Sequence, residues 1–323
     1  MTALPTPDEL ERAARKVGDV LAPTAAIRWP TLSARCDAEV WVKHENHTPI
    51  GAFKIRGGLV YLDELLRSSR PPRGLTAATR GNHGQSLAFA ARRLGLELTI
   101  VVPHGNSREK NAAMQALGAR LVEHGHDFQA ALEFASAQAA ERGLAMVPSF
   151  HPALVAGVAT YALEFFRAVA DLDTIYVPIG LGSGICGVIA AREALRLKTK
   201  VVGVVAEQAP AYALSFTAGK PVSTSSADTL ADGIACRVPD PAAVALINHY
   251  AERIVTVAEA RIEAAIRHYF TDTHNVAEGA GAAPLAALLG ERERMRGRRV
   301  GLVLSGGNID REPYARILAC ADG

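Results

Sequence analysis

The feature that most constrains this chain is a succession of short, almost purely apolar runs separated by longer helical patterns. Runs such as VVGVVA and VGLVL show no polar alternation. A strand built from either must therefore be buried on both faces, as in a parallel sheet covered by helices. Strands are expected at residues 39–43, 75–79, 98–102, 120–123, 145–148, 174–179, 201–206, 253–257 and 300–304, with helical periodicity between most of them. That alternation builds βαβ units. The strands between residues 74 and 148 are enough for a small inserted α/β domain, leaving 1–73 and 149–323 as a larger one.

With 323 residues, 49% of them hydrophobic and 21% charged, disorder, collagen and coiled coil are excluded. Lys and Arg number 35 against 33 Asp and Glu, so no extended basic field points to nucleic acid or an acidic membrane surface. Cys36, Cys186, Cys236 and Cys320 lack CxxC spacing, which argues against a zinc ribbon or a disulfide framework. The first residues have no signal-peptide h-region, and no apolar run reaches the roughly 18 residues of a membrane span. A cytoplasmic protein is the expectation, and the sequon Asn46-His47-Thr48 then carries no weight. The Ser/Thr-rich stretch 223–227 reads as a surface loop.

In parallel α/β proteins ligands collect where strands end and helices begin. Four such loops stand out. In the first, 43–54, Pro49 and Gly51 turn the chain and Lys54 enters a helix. An N-terminal macrodipole disfavours a cation there and helps to keep an amine neutral, although a solvated surface lysine reads the same way in isolation. The second, Thr79-Arg80-Gly81-Asn82-His83-Gly84-Gln85, opens another helix; Asn82 is either its N-cap or part of a polar cradle for an anion. The third, Gly180-Leu181-Gly182-Ser183-Gly184-Ile185-Cys186-Gly187, lets backbone approach a phosphate closely. It also satisfies GxGxxG over 182–187 with Glu207 beyond it, which leaves a dinucleotide-dependent oxidoreductase open. The fourth, Leu304-Ser305-Gly306-Gly307-Asn308-Ile309-Asp310, follows the last strand, where a hydroxyl could meet a ring nitrogen or merely make a turn.

In this order the segments PIGAFKIRGG, TRGNHGQ, VPIGLGSGICG and VLSGGNID resemble the lysine, asparagine, glycine and serine motifs of the two-lobed, tryptophan synthase β-like fold-type II pyridoxal phosphate enzymes, most closely the serine/threonine dehydratase and serine racemase family. The resemblance covers almost the whole chain. It implies pyridoxal 5'-phosphate linked to Lys54 through a Schiff base, with Asn82 on the ring hydroxyl. It places Gly180, Leu181, Gly182, Ser183 and Gly184 around the phosphate and Ser305 at the pyridine nitrogen. Thr79, Arg80, Gly81, Asn82 and His83 become the substrate loop. The implied activity is β-elimination from threonine or serine to a 2-oxo acid and ammonia, with Lys54 as general base, by a homodimer or homotetramer.

Departures from the family pattern sharpen the expectation. Arg80 stands where dehydratases usually carry alanine and the racemase a serine, and an arginine cannot serve as a second-face base at neutral pH. That sets racemisation behind elimination; an inward Arg80 would suit an acidic substrate such as 3-hydroxyaspartate, an outward one is only a surface charge. Ala52 replaces a common serine. Glu207 matches the family's metal-binding glutamate, but oxygen ligands nearby are too few to expect a divalent cation. Glu278 and Gly279 resemble a segment bordering the cofactor, with no role assigned. His44, His47, His151 and His274 show no metal spacing. Only 13 residues follow Asp310, so no appended regulatory domain or isoleucine feedback is expected.

Overall fold

The computed structural model describes residues 3–69 and 71–320. Its strands are β1 (Ala26–Arg28), β2 (Glu39–His44), β3 (Gly74–Ala78), β4 (Glu97–Val102), β5 (Arg120–Glu123), β6 (Ala145–Met146), β7 (Thr174–Pro178), β8 (Lys200–Ala206), β9 (Arg253–Val257) and β10 (Arg299–Leu304). They form a six-stranded sheet, β1-β2-β10-β7-β8-β9, and a four-stranded one, β5-β4-β3-β6. All pairings are parallel except β1 with β2. The apolar runs lie where such pairing requires: β3, β7 and, apart from its first residue, β10 are buried along nearly their whole length between helical layers. Each strand expected from the sequence is present to within two residues. β1 is the addition, three residues on the sheet edge, of which Ala26 and Ile27 are half-buried and Arg28 is exposed.

This topology positions the loops. β2, β10 and β7 are consecutive neighbours, so the segments leaving their C-terminal ends, toward Lys54, Ser305 and Gly180, emerge side by side. β3 delivers Thr79 from the other sheet. The helices Lys54–Leu66 and Pro152–Ala168 lie unusually close: a Cβ on Gly157 would sit 2.4 Å from the Arg56 carbonyl oxygen. Only glycine allows that approach, and it draws the Lys54 end toward the helix Ser183–Ala194, which packs on the same helix.

A buried ion network fixes this corner. The Arg56 guanidinium, fully buried, donates to both Glu45 oxygens at 2.7 and 3.0 Å and to both Glu164 oxygens at 2.6 and 2.9 Å. Lys43 Nζ reaches Glu164 at 2.6 Å and the Thr24 carbonyl at 2.8 Å. Two cations face two carboxylates, with fork-on-carboxylate geometry that repays part of their desolvation. Among the described residues no helix is long and apolar enough to cross a membrane.

Candidate active site

Lys54 is the first residue of its helix. The preceding loop is pinned to the segment after β10: Ala52 bridges Gly306, Phe53 N–H donates to the Ser305 carbonyl at 3.0 Å, and Gly307 N–H to the Gly51 carbonyl at 2.9 Å. Lys54 Nζ donates to Ser183 Oγ at 3.0 Å and lies 5.1 Å from the Phe53 ring centre. Among the described residues no carboxylate pairs with it, and burial lowers its pKa to about 8. A surface lysine, the alternative in isolation, is thereby excluded.

Ser183 opens the helix that follows β7, after Gly182 in the left-handed region at φ 96°. That helix has no side-chain cap, so its first-turn N–H groups are left for an anion, reinforced by the macrodipole. Leu181 is half-buried against the core, while Gly180, Gly182 and Gly184 complete the turn. Ser305 is buried beside it, 3% exposed.

Asn82 is not an N-cap. Gly81 occupies that position with extended backbone, and the Asn82 amide reaches across the site, donating to Glu278 Oε1 at 2.6 Å and accepting from Asn308 Nδ2 at 2.8 Å. Thr79 Oγ1 accepts from the Gly81 and Gly84 N–H groups at 3.0 and 3.3 Å, so this hydroxyl and these amides are committed to shaping the loop. His83 is held neutral: burial and then the Lys54 charge lower its pKa to about 3, against a contact with the Pro148 backbone. Its Nε2 is buried with no hydrogen-bond partner among the described residues.

Two expected residues stand apart. Arg80 is exposed, the outward alternative, which removes the structural basis for an acidic pocket built on it. Glu207 is exposed at the end of β8, and no group of three His, Cys, Asp or Glu side chains among the described residues is placed to hold a metal. His44 stacks on His47, and His151 accepts from Ala153 N–H as a helix cap. The four cysteines are free. Lys110 and Asp232 were not anticipated, since each reaches the site across a sequence gap with no local motif, while Asn308 lies inside the fourth loop, where the sequence assigned it no role.

A family described as pyridoxal-phosphate dependent enzymes matches residues 17–306. The chain is 34% identical over 314 residues to an L-threonine ammonia-lyase of Thermotoga maritima, covering 97% of this chain and 78% of that one. It is 29% identical over 317 residues to an L-threo-3-hydroxyaspartate ammonia-lyase of Saccharomyces cerevisiae, covering 98% and 97%. Among solved structures, the processed form of threonine deaminase isoform 2 from Solanum lycopersicum superposes with a TM-score of 0.88 at 28% identity, over 99% of this chain and 96% of that one.

Proposed function

The chain belongs to the pyridoxal-phosphate dependent enzymes, and from that premise we propose that it is an ammonia-lyase acting on a β-hydroxy amino acid, threonine or serine, to give a 2-oxo acid and ammonia. The observation that carries this reading is the meeting of Lys54 Nζ and Ser183 Oγ at 3.0 Å, which puts a nucleophilic amine at the mouth of an uncapped helix N-terminus. The cofactor's needs fit what is there among the described residues: a half-buried amine without a counter-ion, free first-turn amides for a phosphate, and a buried His83 nitrogen without a hydrogen-bond partner. Lys54, Asn82, Gly180, Leu181, Gly182, Ser183, Gly184 and Ser305 are the residues that would hold it. When bound, pyridoxal phosphate supplies an electron sink for the substrate's α-carbon.

The chain's own residues do the rest. Lowered toward neutrality, the Lys54 amine takes the α-proton at Nζ, and Ser183 Oγ orients it as an acceptor. His83, neutral throughout the working range, offers an acceptor and leaves proton transfer to Lys54. The β-hydroxyl leaves as water, its added proton balanced by the α-proton that Lys54 has taken, and hydrolysis of the released enamine to the 2-oxo acid and ammonia completes the reaction. Glu207 does follow the strand beside β7, as a dinucleotide fold needs, but such a fold has no use for an amine held 3.0 Å from Ser183 at the glycine turn. Residues 74–148 as a small domain, a homodimer or homotetramer, and a cytoplasmic setting belong to the same proposal.

The experiment is borohydride reduction of the purified holoprotein, peptide mapping of the label, and a 2-oxo acid assay with threonine, serine and 3-hydroxyaspartate. Label on Lys54 and product from a hydroxy amino acid are expected. A visible band surviving in Lys54→Ala would overturn the assignment.

A further inference from the structure

Lys110 lies on the helix Arg108–Ala116, between β4 and β5 of the smaller sheet, yet its ammonium leaves that side of the molecule. It donates to Asp232 Oδ2 at 2.6 Å and to Glu278 Oε2 at 3.3 Å. Asp232 opens a single 3-10 turn, Asp232–Ile234, and Glu278 immediately precedes the helix Gly279–Gly290; both belong to the part built on the larger sheet. The lysine is only 6% exposed, and its stem covers Gly81 so closely that a Cβ there would meet Lys110 Cδ at 2.5 Å. Two neighbours fasten the same helix to the segment after β10: Ser107 Oγ bonds Asp310, and Glu109 Oε1 accepts from Arg311 N–H at 2.9 Å.

The other oxygen of Glu278 accepts from Asn82 Nδ2. The orientation of that amide is settled independently. The Ile50 carbonyl can only accept, so Asn308 turns Nδ2 toward it at 2.8 Å. The same nitrogen donates to Asn82 Oδ1, which leaves Asn82 Nδ2 for Glu278. Protonated, Glu278 would aim an O–H at either Lys110 or Asn82 Nδ2, and neither can accept it. The arrangement therefore works only with an ionised Glu278.

Among the described residues the charged groups facing Glu278 are Lys110 and Asp232, with Asn82 and the Gly306 backbone beside it. Burial raises the carboxyl above its ordinary range, Lys110 pulls it back, and Asp232 pushes it up again. Room to rearrange is lacking, since a Cβ on Gly306 would stand 2.4 Å from Glu278 Oε1.

We propose that Lys110 is a positioning residue for the reaction: by closing onto Glu278 and Asp232 it keeps Glu278 a carboxylate and so fixes the Asn82 amide that meets the cofactor. This rests on the reading of Asn82 as a cofactor contact. The test uses holoprotein carrying Lys110→Met, Lys110→Arg or Asp232→Asn, and reads cofactor dissociation by fluorescence and the pH titration of the visible band. Lys110→Met should retain borohydride-reducible label on Lys54 but bind cofactor about tenfold more weakly. Its titration should move to higher pH, and that of Asp232→Asn to lower pH, because the two substitutions remove opposite charges beside one carboxyl. Lys110→Arg should restore wild-type behaviour. Shifts of the same sign, or wild-type cofactor affinity and titration in Lys110→Met, overturn the proposal. Should Lys110→Met not fold, the downward shift in Asp232→Asn carries the test, and its failure overturns the proposal equally. Wild-type protein without a reducible band removes instead the cofactor assignment beneath it.

Discussion

The amine of Lys54 and the hydroxyl of Ser183, 129 positions apart in sequence, meet at 3.0 Å, each standing first in its own helix. The contact joins a nucleophile to an anion-binding turn. Ser183→Ala should leave the fold intact, since the helix has no side-chain cap to lose, and weaken cofactor binding about tenfold through loss of a charge-assisted hydrogen bond. Equilibrium fluorescence titration of the cofactor measures it; an unchanged dissociation constant would show that the hydroxyl contributes no binding.

Burial sets the pH dependence of the same lysine. Its pKa falls from 10.5 to about 8, so between those values the unfolded chain binds more protons than the native one, and stability rises with pH across that window. Cofactor-free Lys54→Met should be more stable than wild type at pH 7, by on the order of 2 kcal/mol, with the difference shrinking toward pH 10.5. Urea unfolding of both proteins at the two pH values is the measurement.

His83 behaves in the opposite range. With its pKa lowered from 6.5 to about 3, its cost to the fold appears as pH drops below 6.5, where the unfolded imidazole protonates and the native one does not. Its imidazole nitrogen shifts in NMR should stay flat between pH 5 and 8, and His83→Gln should lower turnover without moving the pH–rate profile there. A titration of His83 near pH 6.5 would contradict the buried, neutral ring.

Arg56 tests the scaffold. Arg56→Met strands Glu45 and Glu164, both deprived of their main cation, and should cost about 3–5 kcal/mol of stability in denaturant unfolding. Loss of less than about 1 kcal/mol would mean that the network is dispensable.

Arg80→Ala addresses substrate choice. Because Arg80 is exposed, the ratio of kcat/KM for threonine over 3-hydroxyaspartate should change by less than about threefold, below 1 kcal/mol. A tenfold loss confined to hydroxyaspartate would restore an acidic pocket.

What the sequence made legible was local chemistry. β7, β8 and β10 announce themselves because double-sided burial forces continuous apolar runs, and the glycine turn before Ser183 shows because close backbone approach leaves few residue choices. β1 was invisible: three residues of antiparallel edge carry no period to detect. Arg56 sits two positions after Lys54 in a helical pattern and reads as a solvated charge until Glu45 and Glu164 arrive from elsewhere. Asn82 has good cap chemistry, and only its partners Glu278 and Asn308, 196 and 226 positions away, divert it. Lys110 and Glu278 are separated by 168 residues and share no motif; their pairing exists only once both sheets have formed.

The place of β10 has a bearing on how the chain is made. Though it is the last strand in chain order among the described residues, it slots between β2 and β7, in the interior of the larger sheet. Until residue 304 has been translated, those two strands wait with unsatisfied edges, and the most non-local pairings of the fold are also the last available. Nascent or prematurely terminated chains are therefore the form most exposed to chaperone capture and aggregation, and the loop that leads to Lys54 gains its backbone partners at Ser305 and Gly307 only in the event that completes the sheet.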